Sequence, residues 1–162
     1  MAHVLCLIIW GLLSVSVIAY FPGDHLILGF RGTTPNDIEV RKIAKLIQTF
    51  QIGGVILYQH NIISPKQVQT LITYLKNQTS GHLWVAVDQE GGLVQRLSET
   101  NGFFDTPSPA TITIKPKKMV KQTYQKLANT LHKNGFNLNL GIMADLNLNP
   151  DSLAVGGAKL PS

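Results

Sequence analysis

The segment Trp84 to Leu97, WVAVDQEGGLVQRL, carries the residues in this 162-residue chain best placed to do chemistry. An apolar run ends in Asp88-Gln89-Glu90, breaks at Gly91-Gly92, and returns a cation at Arg96. On a strand, residues two apart share a face, so Asp88 and Glu90 are expected to point the same way at the strand's C-terminal end. α/β proteins place ligands at that end. Two readings of the carboxylates are open. They could act as a paired acid and base, although the carboxyl groups of retaining glycosidases stand about 5 to 5.5 Å apart across a sugar, and neighbouring positions on one strand seldom straddle a substrate. Alternatively, they satisfy loop amides and Arg96. Gly91-Gly92 allows positive φ or a close backbone approach to a ligand, and Arg96 can fold back as a forked donor. Asp88 accepting and Arg96 donating form a pair able to hold vicinal hydroxyls, which is a sugar-binding arrangement.

The elements that must position this pair alternate. HLILGF (25–30) predicts a strand, and Thr33 to Asp37 supplies capping residues for a helix running to Phe50 with Ile38, Ile43, Ala44, Leu46 and Ile47 on its apolar face. GGVILY (53–58) predicts a second strand. Ser64-Pro65 then opens a helix, as N-cap and first helical residue, that continues to about Asn77 through Val68, Leu71, Ile72 and Leu75. LWVAVDQE is the third strand, followed by a long loop containing Gly102, Pro107 and Pro109. A further helix is predicted from about Lys117 to Asn134, with Gly135 as its stop, and NLNLGIMADLNLNP (137–150) contains the fourth strand. Strands alternating with helices imply right-handed βαβ units and a parallel sheet, and the nearly continuous apolar strands agree, because parallel strands are covered on both faces. A closed (β/α)₈ barrel takes about 250 residues, so four such units amount to roughly half of one.

Composition narrows the class. With 44% hydrophobic and 14% charged residues the chain can bury a core. Residues 1–19 contain no Asp, Glu, Lys or Arg and are expected to be a signal peptide cleaved after Ala19, leaving 20–162 as the domain; retention as an N-terminal membrane anchor is the alternative. The single cysteine, Cys6, falls inside this leader, which excludes a disulfide framework or a thiolate metal cluster in the domain. Export to a periplasm or cell surface is expected. The net charge of +5 includes Lys115, Lys117, Lys118, Lys121 and Lys126, read as the solvated side of a helix and not as a nucleic-acid face, since interleaved aromatics are missing.

VAVDQEGGLVQRL, the upstream GGVILYQHNI and the downstream GFNLNLGIMADLNLNP together resemble the N-terminal TIM-barrel domain of glycoside hydrolase family 3, in its β-N-acetylhexosaminidase branch. The likeness runs from about His25 to Pro150. It implies the N-terminal half of a (β/α)₈ barrel and retaining hydrolysis of terminal β-linked N-acetylglucosamine in murein or chitin-type oligosaccharides, with no cofactor or metal. The family's sugar-binding Asp and Arg map onto Asp88 and Arg96, with Glu90 supporting the pocket. Asp145 would shape the same floor or serve as a buried loop cap. The loop at Asn61-Ile62 is expected beside the mouth, His60 is read as a surface or loop histidine, and His82 and His132, before a strand and late in a helix, are not expected to be catalytic.

The family's K-H-F-P-G-H-G-type acid/base loop and later nucleophilic Asp are not found in this sequence, and Ala154 to Ser162 departs from the expected I-G-x-R-S-F motif. Because retaining hydrolysis needs both a nucleophile and a general acid, no turnover is expected from this polypeptide alone. A truncated hexosaminidase is therefore one reading; a non-catalytic exported carbohydrate-binding fragment is the other.

Overall fold

The structure is a computed structural model that describes residues 22–142. The expected leader, Cys6 and Asp145 lie outside the described residues. Four strands, β1 (Ile27–Gly29), β2 (Gly54–Leu57), β3 (Trp84–Val87) and β4 (Leu138–Asn139), form one parallel sheet in the order β1-β2-β3-β4. Sequential parallel neighbours joined by helices make this the α/β half-barrel arrangement expected from the alternating pattern. The register sets Leu28 beside Val55 and Val55 beside Val85.

The connecting helices are α1 (Ile38–Phe50), α2 (Pro65–Lys76), a five-residue α3 (Pro109–Thr113) and α4 (Lys117–Lys133). In α2 the Ser64 hydroxyl accepts the Gln67 amide at 3.3 Å, Pro65 occupies the first turn, and Val68, Leu71, Ile72 and Leu75 are all buried. That stripe follows the helical period. In α1 the buried face is Val40, Ile43, Ala44 and Ile47, whereas Ile38 and Leu46 are exposed. The expected stripe is thereby corrected: Ile38 is the first helical residue and Leu46 lies on the flank, so neither meets the sheet. The loop after β3 is also more structured than expected, because Ser108 and Pro109 start α3, with the Ser108 hydroxyl accepting the Thr111 amide at 3.2 Å. Helix α4 buries Leu127 and Leu131 and stops where Gly135 takes φ +93°. Lys115, Lys117, Lys118, Lys121 and Lys126 are exposed.

Val55, Leu57, Val85 and Val87 are fully buried between the sheet and the helices, each contributing about 1.5–3 kcal/mol by burial. Alternate positions belong to the other face, where Ile27 and Trp84 are exposed and Ala86 is buried. Asp88 continues this second series and Gln89 the helix-facing one. Strand β3 ends at Val87, so the polar cluster begins one residue beyond the ladder.

Side chains extend the sheet's pairing at β4. Asn137 accepts the Val85 amide at 2.6 Å and donates to the Leu83 carbonyl at 2.9 Å. Asn139 accepts the Gln89 amide and donates to the Gln89 carbonyl, both at 3.1 Å. Two residues of β4 are thus enough to hold it against β3.

Candidate saccharide site

After Val87 the chain leaves the sheet in a tight reversal. The amides of Glu90 and Gly91 both donate to the Val94 carbonyl, at 2.9 and 3.0 Å, and Gly92 donates to the Thr106 carbonyl at 2.9 Å. Gly91 and Gly92 take φ +99° and +63°, so positive φ is needed here as expected. The segment 106–108 adds a second constraint, since a Cβ on Gly91 would lie 2.3 Å from the Pro107 carbonyl oxygen.

The reversal brings Arg96 back over the end of β3. Its Nη2 donates to Asp88 Oδ2 at 2.9 Å, with the two side chains 25% and 27% exposed. The contact is single-pronged and not the two-pronged fork that Arg can make. Asp88 Oδ1 and Arg96 Nη1 carry no hydrogen bond among the described residues, leaving an acceptor and a donor side by side. Arg96 Nε is buried without a hydrogen-bond partner among the described residues. The Glu90 carboxylate, expected as pocket support, makes no side-chain hydrogen bond or ion pair among the described residues and does not join Asp88. Of the two readings of the carboxylates, Asp88 follows the one in which it satisfies Arg96.

The loop after β2 forms the neighbouring wall. The Tyr58 ring lies under the Arg96 guanidinium, 5.9 Å from Cζ to the centroid, and stacks on His60 at 5.8 Å. A cation over an aromatic face is held by the ring quadrupole. His60 Nε2 is 2.9 Å from the Phe30 carbonyl oxygen. Asn61, fully buried, accepts the Tyr58 amide at 2.9 Å and donates to the carbonyls of Phe30 and Gly32 at 3.1 and 2.9 Å. It fastens the loop after β2 to the loop after β1. Gln67 adds to this by donating to the carbonyls of Thr33 at 2.6 Å and Asn61 at 3.0 Å. His82 packs edge-on against Trp84, 4.5 Å between centroids. It lines a cleft of about 280 Å³ with Lys76, Gly81, Leu83 and Asn137, at the end of the sheet opposite Asp88.

Gln89 was not singled out by the sequence. It is 1% exposed, accepts the amides of Arg96 and Leu97 at 2.8 and 3.0 Å, and donates to the Leu97 carbonyl and the Thr106 hydroxyl at 3.0 and 3.3 Å. Asn101 completes the loop by donating to the Arg96 carbonyl at 2.9 Å. The available signal was parity: a glutamine between two carboxylates that face one way must itself face the core.

A family model described as the glycosyl hydrolase family 3 N terminal domain matches residues 14–157. The chain belongs to this family. Among its relatives is a beta-hexosaminidase of Alkalilimnicola ehrlichii, 37% identical over 87 residues that cover 54% of this chain and 23% of the relative. A solved family 3 beta-N-acetylglucosaminidase from Paenibacillus superposes with a TM-score of 0.65 at 27% identity, covering 72% of this chain and 22% of that one. NagZ from Neisseria gonorrhoeae gives a TM-score of 0.57 at 25% identity, covering 70% and 34%. This family 3 chain therefore spans about a quarter to a third of the length of these relatives. Family membership agrees with the half-barrel sheet.

Proposed function

We infer that this family 3 chain supplies the saccharide-holding half of a β-N-acetylhexosaminidase site, with terminal β-linked N-acetylglucosamine as the sugar. The observation that carries this reading is the 2.9 Å contact between Asp88 and Arg96 at the end of β3, which leaves one carboxylate oxygen and one guanidinium nitrogen without protein partners among the described residues. A carboxylate accepts from one hydroxyl while the guanidinium donates to its neighbour, and each charged hydrogen bond is worth roughly 1.5–3 kcal/mol. Half-exposed Tyr58 borders the pair. The relatives named as beta-hexosaminidase and beta-N-acetylglucosaminidase supply the sugar class.

Hydrolysis with retention would require a carboxylate nucleophile and a general acid. In this reading neither is Asp88, whose contact with Arg96 suits holding a hydroxyl, and both belong to the later strands of a complete barrel. Asp145 would belong to the pocket floor, and residues 1–19 would direct export. The same contact favours a second reading, in which this chain binds sugar without turning it over. Titration of the full chain with N-acetylglucosamine, alongside an assay with p-nitrophenyl N-acetyl-β-glucosaminide, tests both. Binding lost in Asp88→Ala supports the holding role, and release of p-nitrophenol by this chain alone would overturn the placement of the reactive groups elsewhere.

A further inference from the structure

We propose that Gln89 is the positioning residue that sets Arg96 against Asp88, an inference that rests on the sugar-holding role of that pair. Gln89 is held from two directions. Its main chain is clamped by the Asn139 side chain, which meets both its N–H and its carbonyl at 3.1 Å. Its side-chain oxygen receives the two consecutive amides of Arg96 and Leu97, and its side-chain nitrogen donates to the Leu97 carbonyl and the Thr106 hydroxyl. A neutral amide is the group that can accept and donate at this depth; a carboxylate would present only acceptors to the Leu97 carbonyl. The peptide that carries Arg96 is thus fixed to the end of β3, next to Asp88.

Arg96 itself has little else to fix it. Among the described residues its side chain makes one hydrogen bond, to Asp88, and rests on Tyr58, while its Nε has no partner. The distance between the free donor and the free acceptor is therefore set through the backbone of residue 96, and Gln89 together with Asn101 holds that backbone. The Thr106 hydroxyl accepts from Gln89, and no hydrogen bond joins Thr106 to Arg96 among the described residues. Removing its hydroxyl separates support of the loop from placement of the cation.

The test uses the full chain with Gln89→Met, which keeps the length of the side chain, and Thr106→Val as the control. Phenylglyoxal modification of Arg96, followed by peptide mass with Arg31 and Arg41 as internal references, reads its placement without requiring a sugar. In Gln89→Met, Arg96 is expected to react several-fold faster, and binding of N-acetylglucosamine to fall by roughly 10- to 100-fold. Thr106→Val is expected to lower stability with Arg96 reacting as in the parent. A folded Gln89→Met chain with unchanged Arg96 reactivity overturns the proposal. If the parent chain binds no N-acetylglucosamine, the sugar reading fails, and Arg96 reactivity still decides the positioning role. Should Gln89→Met not fold, amide hydrogen exchange in the parent decides: protection of Arg96 and Leu97 comparable to Ala86 and Val87 supports the proposal, and exchange at exposed-loop rates overturns it.

Discussion

Asn61 donates its side-chain amide to the carbonyl of Phe30 at 3.1 Å, joining the ends of β1 and β2 across the mouth of the sheet. The same fully buried side chain meets the Gly32 carbonyl and the Tyr58 amide. Replacement by an apolar residue of similar size leaves those groups without this partner, each at about 1–3 kcal/mol. Asn61→Leu is expected to destabilise the chain by roughly 2–5 kcal/mol, measured by urea denaturation. A loss comparable to a surface substitution would show that the two loops are held by other contacts.

Asp88→Ala is expected to weaken N-acetylglucosamine binding by about 1–3 kcal/mol, since a hydroxyl acceptor is lost and Arg96 is left unpaired. Asp88→Asn keeps the volume and an acceptor oxygen but removes the charge, and it is expected to fall between. Calorimetric titration orders the three proteins, and equal affinities would remove Asp88 from the site.

The two glycine positions Gly91 and Gly81 give opposite expectations. At Gly91, φ is +99° and a Cβ would overlap the Pro107 carbonyl oxygen at 2.3 Å, so Gly91→Ala is expected to cost roughly 2–4 kcal/mol from strain and displaced backbone. At Gly81 a Cβ would meet only the Thr79 hydroxyl oxygen at 3.5 Å, and Gly81→Ala is expected to be neutral or stabilising by up to about 1 kcal/mol. Thermal melts of the two variants separate these outcomes.

Asp37 supplies the pH-dependent contact. Its carboxylate accepts the amides of Thr33 at 2.7 Å and Thr34 at 3.0 Å and the Thr34 hydroxyl at 2.9 Å. These hydrogen bonds, led by the Thr33 amide, hold its pKa below the ordinary carboxylate value. Because the folded value is lowered, the stabilisation is complete above about pH 4 and is lost as pH falls through the lowered value. The difference in stability between parent and Asp37→Asn, followed from about pH 6 to about pH 2, is expected to shrink over that acid range. A constant difference would detach the carboxylate's charge from the turn.

What the sequence disclosed depended on whether a role was local. Ser64, Pro65 and the stripe through Leu75 specify α2 within a single short segment, and the structure reproduces them. Asp88 and Arg96 were legible as a pair because a strand end, two glycines and a returning cation sit close together along the chain. Ile38 and Leu46 fit a helical period yet face outward, since periodicity does not say how far around α1 the sheet reaches. Gln89 stayed hidden because Thr106 and Asn139, 17 and 50 residues away, give it its meaning. Asp37 carried the composition of a helix cap, but its carboxylate turns back to Thr33 and Thr34 instead of forward into α1.

Asn139 of β4 and Asn137 just before it act as a vernier. Asn137 and Asn139 are two apart, so both grip β3 only at one alignment; a slip by a single residue would bring Leu138 and Leu140 to those places, where neither can bond a peptide. The Asn-Leu-Asn-Leu alternation thus rejects misaligned pairing during assembly and gives a strand of two residues a unique docking position. An insertion of one residue between the two asparagines would break this spacing and uncouple Gln89 from β4.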